Sequence, residues 1–287
     1  MLLLIGHGSP DTAGNAEFLA FAEQLQTALG VPTQPCFLEL AEPSIGAGFD
    51  LCVAAGAQEI VALPLFLGPG RHQKRDVPGL LAAAQREHPH VQVRYGTPVG
   101  PHQRLVDALA DRAAAVLEQC SQPVGHAETA VLLVGRGSKD TQSNAELARL
   151  ARMLYEQQEY GMVEYAYQLV VAPNVGQGIT RCVQLGAHRV IVLPYILFAG
   201  FVRDDIAAQA HAAQQQYPQI EVVVAQHLFP HAGLLEAVVQ RYQECVAGAA
   251  AMTCDLCSYR HQHEDDEHHH HHHHHHHGES HLSDTHR

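Results

Sequence analysis

The stretch LLIGHGSPDTAGNAEF (3–18) returns as LLVGRGSKDTQSNAEL (132–147), with ten of sixteen residues identical and no gap. Three more pairs follow in the same order. FLELAEPSIGAGF (37–49) matches YQLVVAPNVGQGI (167–179), and EIVALPLFLGPG (59–70) matches RVIVLPYILFAG (189–200). EHPHVQVRYGTPVGPH (87–102) then matches QYPQIEVVVAQHLFPH (216–231). A period of about 130 residues is far longer than that of a solenoid repeat. One domain-sized unit is written twice.

Each unit alternates short apolar runs with helical stretches. The runs near 2–5, 33–40, 58–64 and 91–97 show little polar alternation, as strands buried on both faces of a parallel sheet should. Helical stretches lie near 14–29, 43–56, 74–87 and 101–119. The second unit repeats the strands near 130–134, 163–171, 189–194 and 220–226. The expected fold class is therefore α/β, two duplicated domains, each a small parallel sheet flanked by helices. The boundaries read as 1–122 and 128–247, meeting near the Pro/Gly-containing stretch SQPVGHAE (121–128), followed by a tail over 248–287.

A chain of 287 residues, 46% hydrophobic and 16% charged, suits a soluble protein with a sizeable core. No apolar run approaches the ~20 residues of a membrane helix. MLLLIGHGSP lacks the basic start and the length of a signal peptide, so a cytoplasmic location is expected. The formal net charge is −13; from Ser258 onward six acids stand against two arginines, which leaves the body at about −9. Nucleic acid needs a basic face, so it is an unsuitable partner. Five cysteines (Cys36, Cys52, Cys120, Cys182 and Cys245) are scattered through apolar or helical stretches and read as free thiols in a reducing compartment.

In sheets of this class ligands sit beyond the carboxyl ends of the strands. His7, Glu39 and the loop 68–72 that ends in His72 all fall there. A histidine at the start of a helix favours the neutral imidazole, which can hold a metal or accept a proton. Glu39 sits at the end of an apolar strand and needs a partner, with Glu42 the nearby alternative. His7 has a plain structural reading as a loop tether, and taken separately the signals are weak. The sister unit argues otherwise: it keeps the glycines and the serine but has Arg136 for His7, Leu169 for Glu39 and, without gaps, Val202 for His72. Three polar residues vanish together while the scaffold stays, which points to one active site in the first unit. Two histidines and a carboxylate suit a divalent cobalt, iron, nickel or zinc ion. Arg71, Lys74 and Arg75 form the one dense basic cluster of the body and read as a clamp for carboxylates. There is no GxxxxGK[ST] and no GxGxxG, so nucleotide-driven chemistry has no support.

GHGS after the first strand, FLELAEPS after the second and LPLFLGPGRHQKRDVP after the third resemble the sirohydrochlorin chelatase family over roughly residues 1–245. The resemblance implies two chelatase-type units across a cleft and ATP-independent insertion of Co2+ or Fe2+ into a tetrapyrrole polycarboxylate, sirohydrochlorin. It implies a metal set of His7, Glu39 and His72, with His7 and His72 catalytic. Arg71, Lys74, Arg75 and Arg136 would bind substrate carboxylates. The two fused units imply a monomer with a pseudo-twofold axis. MTCDLC near the end is similar to an M-x-C-x-x-C motif of some long family members, where an iron–sulfur cluster at Cys254 and Cys257 is implied. Two thiolates fall short of the four of an ordinary cluster, so Cys245 or a second molecule would have to contribute. The ten-histidine run (His268, His269, His270, His271, His272, His273, His274, His275, His276 and His277) reads as a metal-holding segment. Cobalt insertion for cobalamin synthesis is the favoured reading, since iron binds imidazole-only sites less strongly. Iron insertion for siroheme, a metal-storage or metallochaperone protein, and a metal-dependent hydrolase are the alternatives.

Overall fold

A computed structural model describes residues 1–120 and 122–249. The first half runs β1 (Leu2–Gly6), α1 (Thr12–Leu29), β2 (Thr33–Phe37), α2 (Ile45–Ala54), β3 (Glu59–Pro64), a π-helical turn His72–Asp76, α3 (Val77–Glu87), β4 (Gln92–Tyr95) and α4 (Gln103–Leu117). After a 3₁₀ turn at His126–Glu128, the second half repeats the order. It runs β5 (Thr129–Gly135), α5 (Thr141–Gln157), β6 (Met162–Tyr167), α6 (Val175–Gln184), β7 (Arg189–Pro194), α7 (Phe201–Gln216), β8 (Glu221–Val224) and α8 (Ala232–Val246). Both sheets are parallel throughout, in the orders β2-β1-β3-β4 and β6-β5-β7-β8. The fold expected from the repeat is the fold observed.

Strand period 2 divides each central strand between two cores. Leu2 and Leu4 join Val131 and Leu133 in one cluster that draws on both halves, together with Phe21, Leu105, Leu150 and Leu234. Leu3 and Ile5 face the other way, onto Phe49 of α2 and Val77 and Leu81 of α3. Leu132 and Val134 do the same with Ile179 of α6 and Ile206 of α7. The two units thus share a core and form one body. No described helix is long and apolar enough to cross a membrane.

Reciprocal contacts hold the halves together. Arg112 donates to the carbonyls of Leu228 and Pro230, at 3.3 and 2.6 Å. Arg241 donates to those of Val99 and Pro101, both at 3.2 Å. A third cross-half contact has no mirror image: Lys74 Nζ lies 2.7 Å from Asp140 Oδ2, with side-chain exposures of only 4% and 5%. The N-caps of α4 and α8 are likewise paired, with Nδ1 of His102 accepting from Arg104 N and Nδ1 of His231 from Gly233 N, each at 3.0 Å.

β2 and β6 end earlier than their apolar runs suggest. Phe37 N already donates to Pro43 O, and Tyr167 N to Pro173 O, so the chain has folded back. Each turn holds one non-glycine residue at positive φ, Leu40 at 63° and Val170 at 76°. Such conformations are strained, yet both halves carry one, so this strain belongs to the scaffold. Cys36, Cys52, Cys182 and Cys245 are buried thiols and Cys120 is half-buried. Burial raises the pKa of Cys245, which is packed in the shared core and therefore suits a structural thiol rather than a cluster ligand. Cys254, Cys257 and the histidine run lie outside the described residues.

Removing one partner of a buried pair leaves an uncompensated charge, at a cost of about 3–5 kcal/mol. Lys74→Met should therefore lower stability to denaturant by an amount in that range; an unchanged midpoint would remove the pair from the forces joining the halves. Burial, followed by the charge of Arg241, lowers the pKa of His102. The unfolded chain takes up that proton near the ordinary value of about 6.5, so it binds more protons than the folded chain just below that pH. The stabilising contribution of neutral His102 is complete above that pH and is lost as the pH falls toward the folded value. Thermal midpoints should drop on acidification from pH 7 to 5.5, less steeply in His102→Asn, whose amide oxygen still caps the helix.

Candidate metal centre

The repeated letters of the motif turn out to build a loop. Ser9 N donates to Asn15 Oδ1 and Asn15 Nδ2 to Ser9 O, at 3.0 and 2.8 Å. Ser138 and Asn144 do the same at 2.9 and 2.8 Å. Asp11 and Asp140 cap α1 and α5. Gly8 (φ 88°) and Gly137 (φ 87°) are needed because the loop after the neighbouring strand passes directly over them. A Cβ on either would run into the backbone carbonyl of Glu39 or of Leu169. Parallel pairing continues past the strand ends, with Leu38 N donating to Gly6 O at 2.9 Å and Glu39 N to His7 O at 3.1 Å. Leu169 N donates to Arg136 O at 3.0 Å in the sister half. Glu39 thus lies two residues beyond the strand it was expected to end, held beside His7 by backbone alone.

On this scaffold the three unrepeated residues meet. His7 Nε2 is 3.6 Å from Glu39 Oε1, and the His7 and His72 rings are edge to face with centroids 5.0 Å apart. One potential ligand atom from each of His7, Glu39 and His72 falls within a 4.8 Å group. His7 Nδ1 lies 3.3 Å from Gly8 O, so as a donor to that carbonyl it leaves the Nε2 lone pair free. That Nε2 is buried and has no hydrogen-bond partner. An orphaned buried acceptor beside a carboxylate and a second imidazole fits a divalent metal. Burial lowers the pKa of His7; the charges of His72 and Arg136 act in the same direction, against the Gly8 carbonyl and Glu39. The ring is therefore neutral and able to ligate near pH 7. Glu42, the alternative carboxylate, accepts instead from Ser44 N at 2.8 Å, at the start of α2.

His72 does not open an ordinary helix. It begins the π-turn, with its Nδ1 2.9 Å from Asp76 Oδ2. Asp76 was missed in the sequence, although its i, i+4 spacing from His72 in HQKRD was a readable signal. The basic cluster divides. Arg71 and Arg75 are exposed, with Arg71 Nε 3.4 Å from Asp76 Oδ2. Lys74 is turned away into its buried contacts with Asp140 and Gln142, a placement suited to joining the halves rather than to receiving a substrate. Arg136 is exposed, and its charge contributes to lowering the His7 pKa, so the second half's substitution lies within electrostatic reach of the first half's site.

A second group, Asp50, Glu87 and His88, also has ligand atoms close together. His88 Nε2 lies 2.8 Å from Asp50 Oδ1, and the sister half keeps a bond at the same place, Thr180 Oγ1 to Tyr217 OH at 2.9 Å. A bond kept in both halves by different chemistry is a helix–helix clasp.

Comparisons with known proteins bear on the fold and the family. The CbiX family model matches twice, over residues 1–116 and 130–245. The sirohydrochlorin cobaltochelatase of Priestia megaterium is 35% identical over 260 residues, 90% of this chain and 84% of that protein. The sirohydrochlorin ferrochelatase of the same organism is 33% identical over 234 residues, 81% and 85% of the two chains. Among solved structures, SirB from Bacillus subtilis with Fe3+ superposes with a TM-score of 0.75 at 27% identity, covering 86% of this chain and 96% of that one. A SirB structure in complex with cobalt, from Bacillus subtilis subspecies spizizenii, gives 0.73 at 26% identity, covering 86% and 95%. With the family model matched by both halves and a relative 35% identical over most of both chains, the chain belongs to the CbiX family.

Proposed function

We propose that this chain is a sirohydrochlorin cobaltochelatase, a lyase-class enzyme that inserts Co2+ into sirohydrochlorin on the way to cobalamin. The observation that carries the reading is the meeting of His7, Glu39 and His72 at one sheet edge, with the Nε2 of His7 buried and unpartnered. The family supplies the reaction class, and the cobaltochelatase and ferrochelatase relatives supply the two candidate metals.

Insertion passes a partly dehydrated M2+ to four ring nitrogens while two pyrrole N–H protons leave. Neutral imidazoles of His7 and His72 hold the metal through nitrogen lone pairs, and Glu39 offsets its charge. As the metal departs, the freed ring nitrogens can accept the departing protons. Arg71 and Arg75 on the first half and Arg136 on the second give cationic groups for the substrate's carboxylates. This gives the arginine of the second GxGS a use: a second histidine would add a competing metal site, whereas a guanidinium binds a carboxylate. The active body acts as a monomer in this reading, with the second half as scaffold and half-wall of the site. Cys254 and Cys257, and the histidine run, are proposed to hold metal outside the catalytic step; their support is the sequence motif.

Anaerobic metallation of sirohydrochlorin, followed by absorbance with Co2+ and Fe2+ in parallel, tests the reading. Wild type should exceed the uncatalysed rate, faster with Co2+, and His7→Ala and His72→Ala should each lose at least 100-fold. Arg136→Gln should raise KM for sirohydrochlorin about 10-fold, the order of one charge-assisted contact, with little change in kcat. Background rates for both metals would sink the chelatase reading, and faster iron insertion would move the chain to the siroheme branch.

A further inference from the structure

Between Pro64 and Val77 the first half has one residue more than the second has between Pro194 and Ile206. Pro64 and Pro194 close equivalent strands, and Val77 and Ile206 are fully buried in equivalent outer cores. Lys74 N donates to Gly70 O and Asp204 N to Gly200 O, so the two helix starts are still in step there. The surplus is therefore absorbed in the turn His72–Asp76, where Val77 N reaches back to His72 O. α7 passes the same place as an unbroken α-helix. Single-residue π-bulges of this kind concentrate at functional sites.

The surplus residue makes Asp205 the counterpart of Asp76. In the sister half that carboxylate accepts from two amides, Gln168 Nε2 and Gln209 Nε2, both at 2.7 Å. The first half has Leu38 and Leu80 at the corresponding positions, which offer no side-chain donor. Its carboxylate turns instead to His72 Nδ1, at 2.9 Å. Resting on the chelatase reading, we infer that Asp76 is the positioning residue of the metal centre. It accepts the Nδ1 proton of His72, fixes the ring in the tautomer whose Nε2 is free, and strengthens that nitrogen as a ligand. A carboxylate behind a ligating histidine is worth about 10- to 100-fold in metal affinity or activity. The two imidazoles are thus held by different means: a backbone carbonyl for His7, an acidic side chain for His72.

The test uses the full chain with free Co2+ fixed by a metal buffer, so that the histidine run does not set its concentration. Asp76→Ala should raise KM for Co2+ by about 10- to 100-fold, leave KM for sirohydrochlorin within twofold, and unfold at the wild-type temperature. Asp76→Asn, whose amide oxygen still accepts from Nδ1, should recover part of the loss. A second readout needs no turnover: nitrogen NMR of the His72 ring, assigned by its disappearance in His72→Ala. It should show Nδ1 protonated in wild type and the mixed tautomers of a free imidazole in Asp76→Ala. An unchanged KM for Co2+ with an unchanged tautomer overturns the inference while leaving the chelatase reading intact. If wild type inserts no metal, the chelatase reading fails, and the tautomer alone decides whether Asp76 positions His72.

Discussion

The site depends on a parallel pairing that does not stop where its strands stop. β1 and β2 run side by side to Gly6 and Phe37, and two more backbone hydrogen bonds carry the pairing on to His7 and Glu39. At that point the chains are so close that only glycine fits at position 8. The imidazole and carboxylate are therefore neighbours by construction, before any side-chain interaction is considered. Side chains held by a rigid backbone lose little freedom when a metal binds, so more of the contact energy appears as affinity.

The duplication works as an internal control. What both halves keep is mechanical: the loop tied by Ser9 and Asn15, the caps from Asp11 and Asp140, the histidine caps of α4 and α8, and the clasps from Arg112 and Arg241. What only the first half has is the cluster of His7, Glu39 and His72 and the extra residue of the π-turn. The asymmetry extends to the interface. Lys74 reaches Asp140 across it, while the equivalents of these two residues in the other halves are the carboxylates Asp204 and Asp11.

The fold was legible because strands buried on both faces leave plain apolar runs, and because each run appeared twice. The histidines and Glu39 were legible as differences between copies. The contact of Lys74 with Asp140 was not legible, because local sequence shows a basic run but not which side chains a helical turn directs toward a residue 66 positions away. Strand ends were overrun since Leu38, Leu40 and Val170 continue an apolar pattern while the backbone has already turned at positive φ. The π-turn was invisible to a gapless comparison, which cannot register a one-residue surplus whose neighbours still align.

The reciprocal arginine clasps carry a consequence for symmetry itself. If the two halves were separate identical chains, every substitution would occur in both at once. Covalent linkage removes that restriction, and it keeps the halves at a high effective concentration even where one clasp is weaker. One half is then free to carry a histidine where the other carries an arginine, as at His7 and Arg136. In the proposed reaction this gives the site a direction, with metal ligands on one half and a charge for carboxylates on the other. A tetrapyrrole with unequal edges would have a preferred way to lie between them.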